Sequence, residues 1–265
     1  MAEAEAGNAE RLNALFRPPS PPAGWSTGPP SFVGVGAPRS GTSWWFRVIC
    51  AHPDVCFVRG LHAKETGFLR GLGVRDLSSD EVAEYHRYFL RPPGAQIVGE
   101  WTPDYMYGRA FPRQLRQAAP AASVLVLLRD PVDRFISGVT RGRRLAADNG
   151  IEGADARITA RNVALSMYFE PVSRLLDAFG RDRVLVLQYE RCRAHCAAEV
   201  RRTHEFLGLD PEGAPAPPPR EPRDRPLPDE ERRDLAERFA PDVRRLADLL
   251  PEIDMALWPS VAGSL

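Results

Sequence analysis

The chain has 265 residues, enough for one large domain or two small ones with a sizeable buried core. Lys plus Arg and Asp plus Glu both number 35, so no global basic field argues for nucleic acid, although a local cationic pocket stays open. Four cysteines in a chain this long do not read as a disulfide framework, and no apolar run approaches the roughly 18 residues of a membrane span.

Residues 1 to 30 read as a leader, extended and weakly ordered, with six prolines between Pro18 and Pro30. Glu10 to Phe16 suits a short helix, and Trp25 is placed to pin the leader to a domain over 31–260. Met1 to Gly7 is acidic and small, without the basic start and apolar region of a signal peptide, so the expected location is cytoplasmic.

Ser31 to Val35 predicts a strand. It runs into Gly36-Ala37-Pro38-Arg39-Ser40-Gly41, which opens a helix carrying Trp44, Trp45, Phe46, Val48 and Ile49. Backbone N–H groups at such a helix start point at an anion. The spacing nearly spells a nucleotide triphosphate loop, but Thr42 stands where its lysine should be. Taken alone, the glycine spacing fits an ordinary tight turn as well as an anion cradle. Pro53 ends the helix, with His52 as a polar residue at its end.

Val55 to Val58 predicts a second short strand, leading to Lys64-Glu65. A hydroxyl attacking an anionic centre needs a base for its proton and cations near the transferred oxygens. A carboxylate beside a lysine supplies both, and so, more blandly, does a solvated ion pair sit there. His62 is the reserve base. Asp80 to Leu90 predicts a helix with Ser79 as N-cap, broken by Pro92-Pro93-Gly94, and Ile97 to Gly99 a short strand before Glu100-Trp101-Thr102-Pro103-Asp104-Tyr105.

Ser123 to Leu128 is a continuous apolar run, as in a parallel strand covered on both faces. It ends in Arg129-Asp130-Pro131, and Pro131 is placed to open a helix from which Ser137 projects. An Arg fork plus a Ser hydroxyl suits a phosphate monoester. Arg134 reads as the partner of an acid, and Arg141 to Arg144 with Asn149-Gly150 as an exposed basic loop. Arg161 to Phe179 predicts one long amphipathic helix with Pro171 as a break point and Gly180 as cap. Val184 to Leu187 predicts a strand ending in Gln188-Tyr189-Glu190, and Ala197 to Leu207 a helix. Cys192 and Cys196 flank His195 without completing a zinc site. Residues 211 to 228 form a loop rich in Pro and Arg; Asp229 to Leu250 reads as a helix pair broken at Pro241, with Trp258 packing the terminus back.

Pro38-Arg39-Ser40-Gly41-Thr42-Ser43-Trp44 resembles the 5′-phosphosulfate loop of sulfotransferases, P-[KR]-[SA]-G-[TS]-[ST]-W. Arg129 to Ser137 resembles their 3′-phosphate motif, and Val184 to Glu190 their strand followed by Y-E-D. Lys64-Glu65 is similar to the K-E-x-x-F-F segment of carbohydrate sulfotransferases related to heparan sulfate enzymes, with Leu69 for the second Phe and Gly67 for the usual His. Glu100 to Tyr105 is similar to G-E-K-T-P-x-Y, which lines the acceptor cleft in that family, with Trp101 for Lys; this removes a cation and adds an aromatic face, while core packing of Trp101 and Tyr105 is an equal alternative.

The resemblance implies a single α/β P-loop domain, its central parallel sheet flanked by helices on both faces. It implies 3′-phosphoadenosine 5′-phosphosulfate (PAPS) as co-substrate, held by Arg39, Ser40, Gly41, Thr42, Ser43, Trp44, Arg129, Ser137 and Tyr189. Glu65 would be the general base, with Lys64 and Arg39 on the sulfuryl oxygens and no metal invoked. The expected acceptor is a hydroxyl of a sugar or small-molecule metabolite, with no nucleic-acid or membrane partner. A P-loop nucleotide kinase and a non-catalytic nucleotide-binding protein are the alternatives.

Overall fold

In the computed structural model, which describes residues 18–94, 97–213 and 227–263, six strands are present among the described residues. They are Ser26–Thr27 (β1), Phe32–Gly36 (β2), Leu90–Arg91 (β3), Gly99–Trp101 (β4), Ser123–Leu128 (β5) and Val184–Gln188 (β6). β1 and β3 form an antiparallel ribbon that ties the proline-rich stretch to the domain. Trp25 lies against His62, with ring centroids 6.4 Å apart. The other four make a parallel sheet in the order β4-β2-β5-β6, with Phe32 opposite both Gly99 and Ser123, and Val124 opposite Val184.

Successive strand residues face opposite ways, so the continuous apolar runs feed two cores. Val33, Val35, Val124, Val126, Val184 and Val186 pack on one side against Phe111–Ala118 (α3), Pro131–Asp148 (α4), Phe169–Phe179 (α6) and Asp229–Leu249 (α9). Phe32, Leu125, Leu127, Leu185 and Leu187 pack on the other against Thr42–Cys50 (α1) and Cys196–Phe206 (α8). Ser79–His86 (α2), Asp155–Ala164 (α5), Tyr189–Ala194 (α7) and Pro259–Ala262 (α10) complete the helices of the described residues. The expected α/β sheet with helices on both faces is therefore present. Chain order reverses at β2, whose neighbours are β4 and β5. The crevice of such a sheet opens there, beyond the carboxyl ends of the strands.

Several elements differ from expectation. Val55 makes an isolated bridge to Ile97 rather than a strand, and the strand expected at 97–99 pairs over Gly99–Trp101. α2 is capped by Ser78, not Ser79, in a capping box with Glu81, and stops at His86 because Leu90–Arg91 pairs with β1. Arg141 to Arg144 are helical: α4 runs on through Gly142, which lets it pack closely against Ile158 of α5, and Arg143 reaches Asp155 of α5 at 2.5 Å. The helix expected over 161–179 is two helices. Asp242 of α9 accepts from Tyr168 N at 2.6 Å and from Phe169 N at 3.2 Å, which starts α6 afresh. Pro171 is the third residue of α6, where no intrahelical N–H is required. The pair expected at 229–250 is one helix with Pro241 inside it. Buried Ala236, Phe239, Val243 and Leu246 hold it to the core on both sides of the proline, and this packing overrides the lost hydrogen bond. Residues 214–226 of the Pro/Arg loop and the helix expected at 10–16 lie outside the described residues. No helix among the described residues is long and apolar enough to cross a membrane.

Candidate functional site

β2 delivers the loop 37–41 to the crevice, and three features prepare that loop for an anion. Gly41 caps α1 in the left-handed conformation, φ 88°, with no side-chain cap. The amides of Thr42 and Ser43 make no hydrogen bond among the described residues. Ser40 is buried, and its Oγ has no partner among them. Uncapped amides and an orphaned hydroxyl at one helix start are what a phosphate or sulfate oxygen satisfies. Arg39 itself takes φ 72°, an uncommon conformation for a side chain of this size. It sends its guanidinium to α4, where Nε donates to Ser137 Oγ at 3.1 Å.

The second cation comes from the next strand. Arg129 ends β5, 9% exposed, and its Nη1 donates to Arg39 O at 3.4 Å. Its guanidinium also lies 5.4 Å from the centre of the Tyr189 ring. Tyr189 opens α7 at the end of β6, edge-on to Trp44 at 6.0 Å. The loop, Arg129, Ser137, Trp44 and Tyr189 are thus one contiguous surface. Gly41 is essential to its closeness, since a Cβ there would lie 2.7 Å from Tyr189 Cδ2 and Cε2. Gly41→Ala is expected to lose about 1–2 kcal/mol from the left-handed backbone alone, read by urea unfolding. The displaced Tyr189 should also disturb the surface it shares with Trp44 and Arg129.

Lys64-Glu65 joins the same end of the sheet through Trp101. Trp101 N donates to Lys64 O at 2.6 Å, and its indole Nε1 donates to Gly36 O at 3.1 Å. The indole lies flat over Gly34, where a Cβ would fall 2.0 Å from the ring. Trp101 is fully buried, which decides between the two readings of it in favour of packing: the ring is a strut between the two motifs and not a face of the acceptor cleft. Lys64 Nζ meets Glu65 Oε1 at 2.8 Å, and burial pulls the Lys64 pKa down against the pull of Glu65. Glu65 is 40% exposed and approaches Arg70 at 3.5 Å through Oε2. Arg70 in turn holds Asp104 at 2.6 Å. Arg70 and Asp104 are functional candidates that sequence reasoning missed, because nothing in either stretch says that residues 34 apart will meet. Beneath them Glu100, fully buried, accepts from Thr66 N, Thr66 Oγ1, Tyr85 OH and Thr102 Oγ1 at 2.6–2.9 Å and fixes the Thr-Pro segment.

His62 is corrected as reserve base. It is buried, Nδ1 accepts from Val58 N at 3.0 Å, and Nε2 lies 2.8 Å from Leu90 O, so both ring nitrogens have backbone partners. Arg134 is corrected too: its Nη2 donates to Asn162 O and Oδ1 at 3.0 and 2.7 Å, not to an acid. His52 is a buried residue at the end of α1, between Asp54 N and Asp210 O.

The far wall is braced by Glu190, which accepts from Asp130 N at 3.0 Å and from Trp258 Nε1 at 2.8 Å. Trp258 is fully buried, as expected, and anchors the C-terminal segment beside the Arg129 turn. Burial pushes the Glu190 carboxyl from 4.5 up to about 7, against its N–H donors. Between those values the folded chain keeps a proton that the unfolded chain releases. Stability is therefore highest below the lower value and falls as pH rises through the upper one. Glu190→Gln should lose less thermal stability than wild type between about pH 5 and about pH 8. Equal losses in both proteins would remove Glu190 from this role.

A strand, an uncapped helix start and a cationic wall at the sheet's switch point define an α/β nucleotide-binding domain of the P-loop class. The chain belongs to the sulfotransferase domain family, whose model matches residues 29–216. It is 29% identical over 219 residues to human heparan sulfate glucosamine 3-O-sulfotransferase 6, covering 76% of this chain and 60% of that protein. The human 3-O-sulfotransferase 3B1 is 26% identical over 226 residues, covering 79% of this chain and 55% of that one. The chain thus spans little more than half the length of these relatives. Among solved structures it is similar to a sulfotransferase from Alicyclobacillus acidocaldarius, at 25% identity and TM-score 0.68, covering 86% of this chain and 98% of that one.

Proposed function

We propose that the chain transfers the sulfuryl group of PAPS to a hydroxyl of a sugar-containing acceptor. The observation that carries this reading is the contact of Arg39 with Ser137. It joins a phosphosulfate-type loop to a phosphate-monoester motif across 98 residues of sequence. A donor with anions at both its 5′ and 3′ positions is the ligand class such a double cradle suits. In this reading the amides of Thr42 and Ser43 with Ser40 Oγ hold the 5′ end, Arg129 and Ser137 hold the 3′-phosphate, and Trp44 and Tyr189 border the base.

Glu65 takes the acceptor's hydroxyl proton as that oxygen forms its bond to sulfur. The bond from sulfur to the nucleotide's bridging oxygen breaks, and the 3′,5′-bisphosphate leaves with the electron pair. Arg39, Lys64 and the loop amides stabilise the charge on the sulfuryl and leaving oxygens. Lys64 and Arg70 hold the two oxygens of the Glu65 carboxylate. A sugar acceptor is supported by the glycan named in the relatives and by the polar Lys64, Glu65, Arg70 and Asp104 group.

The test is calorimetric titration with 3′-phosphoadenosine 5′-phosphate beside ATP and AMP, followed by transfer assays from PAPS to glycan and phenolic acceptors. Selective binding of the bisphosphate with transfer to a sugar is the expected result. A preference for ATP would favour the kinase reading, and bisphosphate binding without transfer to any acceptor would favour the non-catalytic one.

A further inference from the structure

Arg134 lies on α4 one helical turn before Ser137, with none of its surface exposed. Its Nη2 is held by Asn162, but Nε and Nη1 have no hydrogen-bond partner among the described residues. A buried guanidinium is stable only when an opposite charge compensates it. The acids of the same helix start are engaged elsewhere. Asp130 caps the amides of Val132 and Asp133 and accepts from Ser260 N, and Asp133 pairs with Arg232 at 3.0 Å. Burial opposes the charge of Arg134 most strongly and the nearby cations Arg39 and Arg129 oppose it as well, while the neighbouring phenols of Tyr107 and Tyr168 are held neutral by burial and supply no counter-charge. Tyr107 OH already donates to Leu165 O, and Tyr168 OH to Arg129 O. That is the state of a cation whose counter-ion arrives from outside.

We propose that Arg134 is a positioning residue for the donor's 3′-phosphate, a buried cation behind Ser137 and Arg39 whose counter-charge is the bound phosphate itself. It acts through the field, with its guanidinium held in place by Asn162 of α5. Its buried nitrogens do not touch the ligand. The inference rests on the donor reading above. It goes beyond that reading by assigning selectivity for the 3′-phosphate to a residue that the motif leaves structural.

The experiment measures the affinity ratio of 3′-phosphoadenosine 5′-phosphate to AMP, which differ only in that phosphate, for wild type, Arg134→Met, Arg134→Gln and Arg134→Lys. The Met variant should lose about 10- to 100-fold in the ratio, through bisphosphate affinity alone. Its ligand-free melting temperature should be unchanged or raised, since an uncompensated buried charge is gone. Lys should keep the ratio within about threefold, and Gln should lose it like Met. Should Met fail to fold, Lys against Gln decides the same question. An unchanged ratio with a lowered ligand-free melting temperature makes Arg134 a structural clamp and overturns the proposal. A wild type that does not distinguish the two nucleotides overturns the donor reading itself, a different result.

Discussion

Glu65→Gln lowers kcat by roughly 10²–10⁴-fold and leaves the Kd for 3′-phosphoadenosine 5′-phosphate within about threefold of wild type. Gln keeps the shape of the side chain and an oxygen for Lys64, but it cannot take the acceptor's proton. The split between kcat and Kd follows from the placement of the two groups. Glu65 belongs to the loop before the Phe68–Gly71 turn, whereas the proposed nucleotide cradle draws its residues from the ends of β2, β5 and β6. The Trp101 strut, with Lys64 O at one end and Gly36 O at the other, and Glu100 of β4 beneath Thr66 link them. Steady-state kinetics beside calorimetry reads both quantities. Normal turnover in the variant would remove Glu65 as base. His62 could not then replace it, because its ring nitrogens are tied to Val58 and Leu90. Asp104, held by Arg70, would be the carboxylate to examine next.

Three of the four sheet strands and the strand–loop–helix turn after β2 were legible because their signals are local. Ser123–Leu128 and Val184–Gln188 are continuous apolar runs, and Gly41 and Ser137 sit at fixed distances from them in sequence. Failures came where long-range packing decided the outcome. Asp242 restarts a helix at Phe169 from 73 residues away. The core on both sides of Pro241 holds α9 continuous. The motif left Trp101 open between cleft and core, and the choice was made by Gly34 on the neighbouring strand, which leaves room for its ring. The Glu65–Arg70–Asp104 chain was invisible for the same reason: its members meet only after β4 and the Lys64 loop dock.

Arg129→Ala should cost at least about 100-fold in affinity for 3′-phosphoadenosine 5′-phosphate and only a few-fold for AMP. A guanidinium fork on a phosphate dianion makes charge-assisted hydrogen bonds worth about 1.5–3 kcal/mol each, and alanine leaves the phosphate facing a desolvated wall. Arg129 is nearly buried at the end of β5 and also supports Arg39 O and the Tyr189 ring, so its loss reaches the 5′ side as well. A fall in kcat at saturating donor is therefore expected together with the loss of affinity. Arg129→Lys should recover only part of either, because a lysine carries the charge but neither the fork nor the flat surface that lies over Tyr189. Arg134→Met, by contrast, should change the affinity ratio and spare AMP, because it alters the field behind the phosphate and not the loop. If Arg129→Ala binds the bisphosphate as wild type does, the 3′-phosphate is held elsewhere, and the assignment of β5's end to that phosphate falls with it.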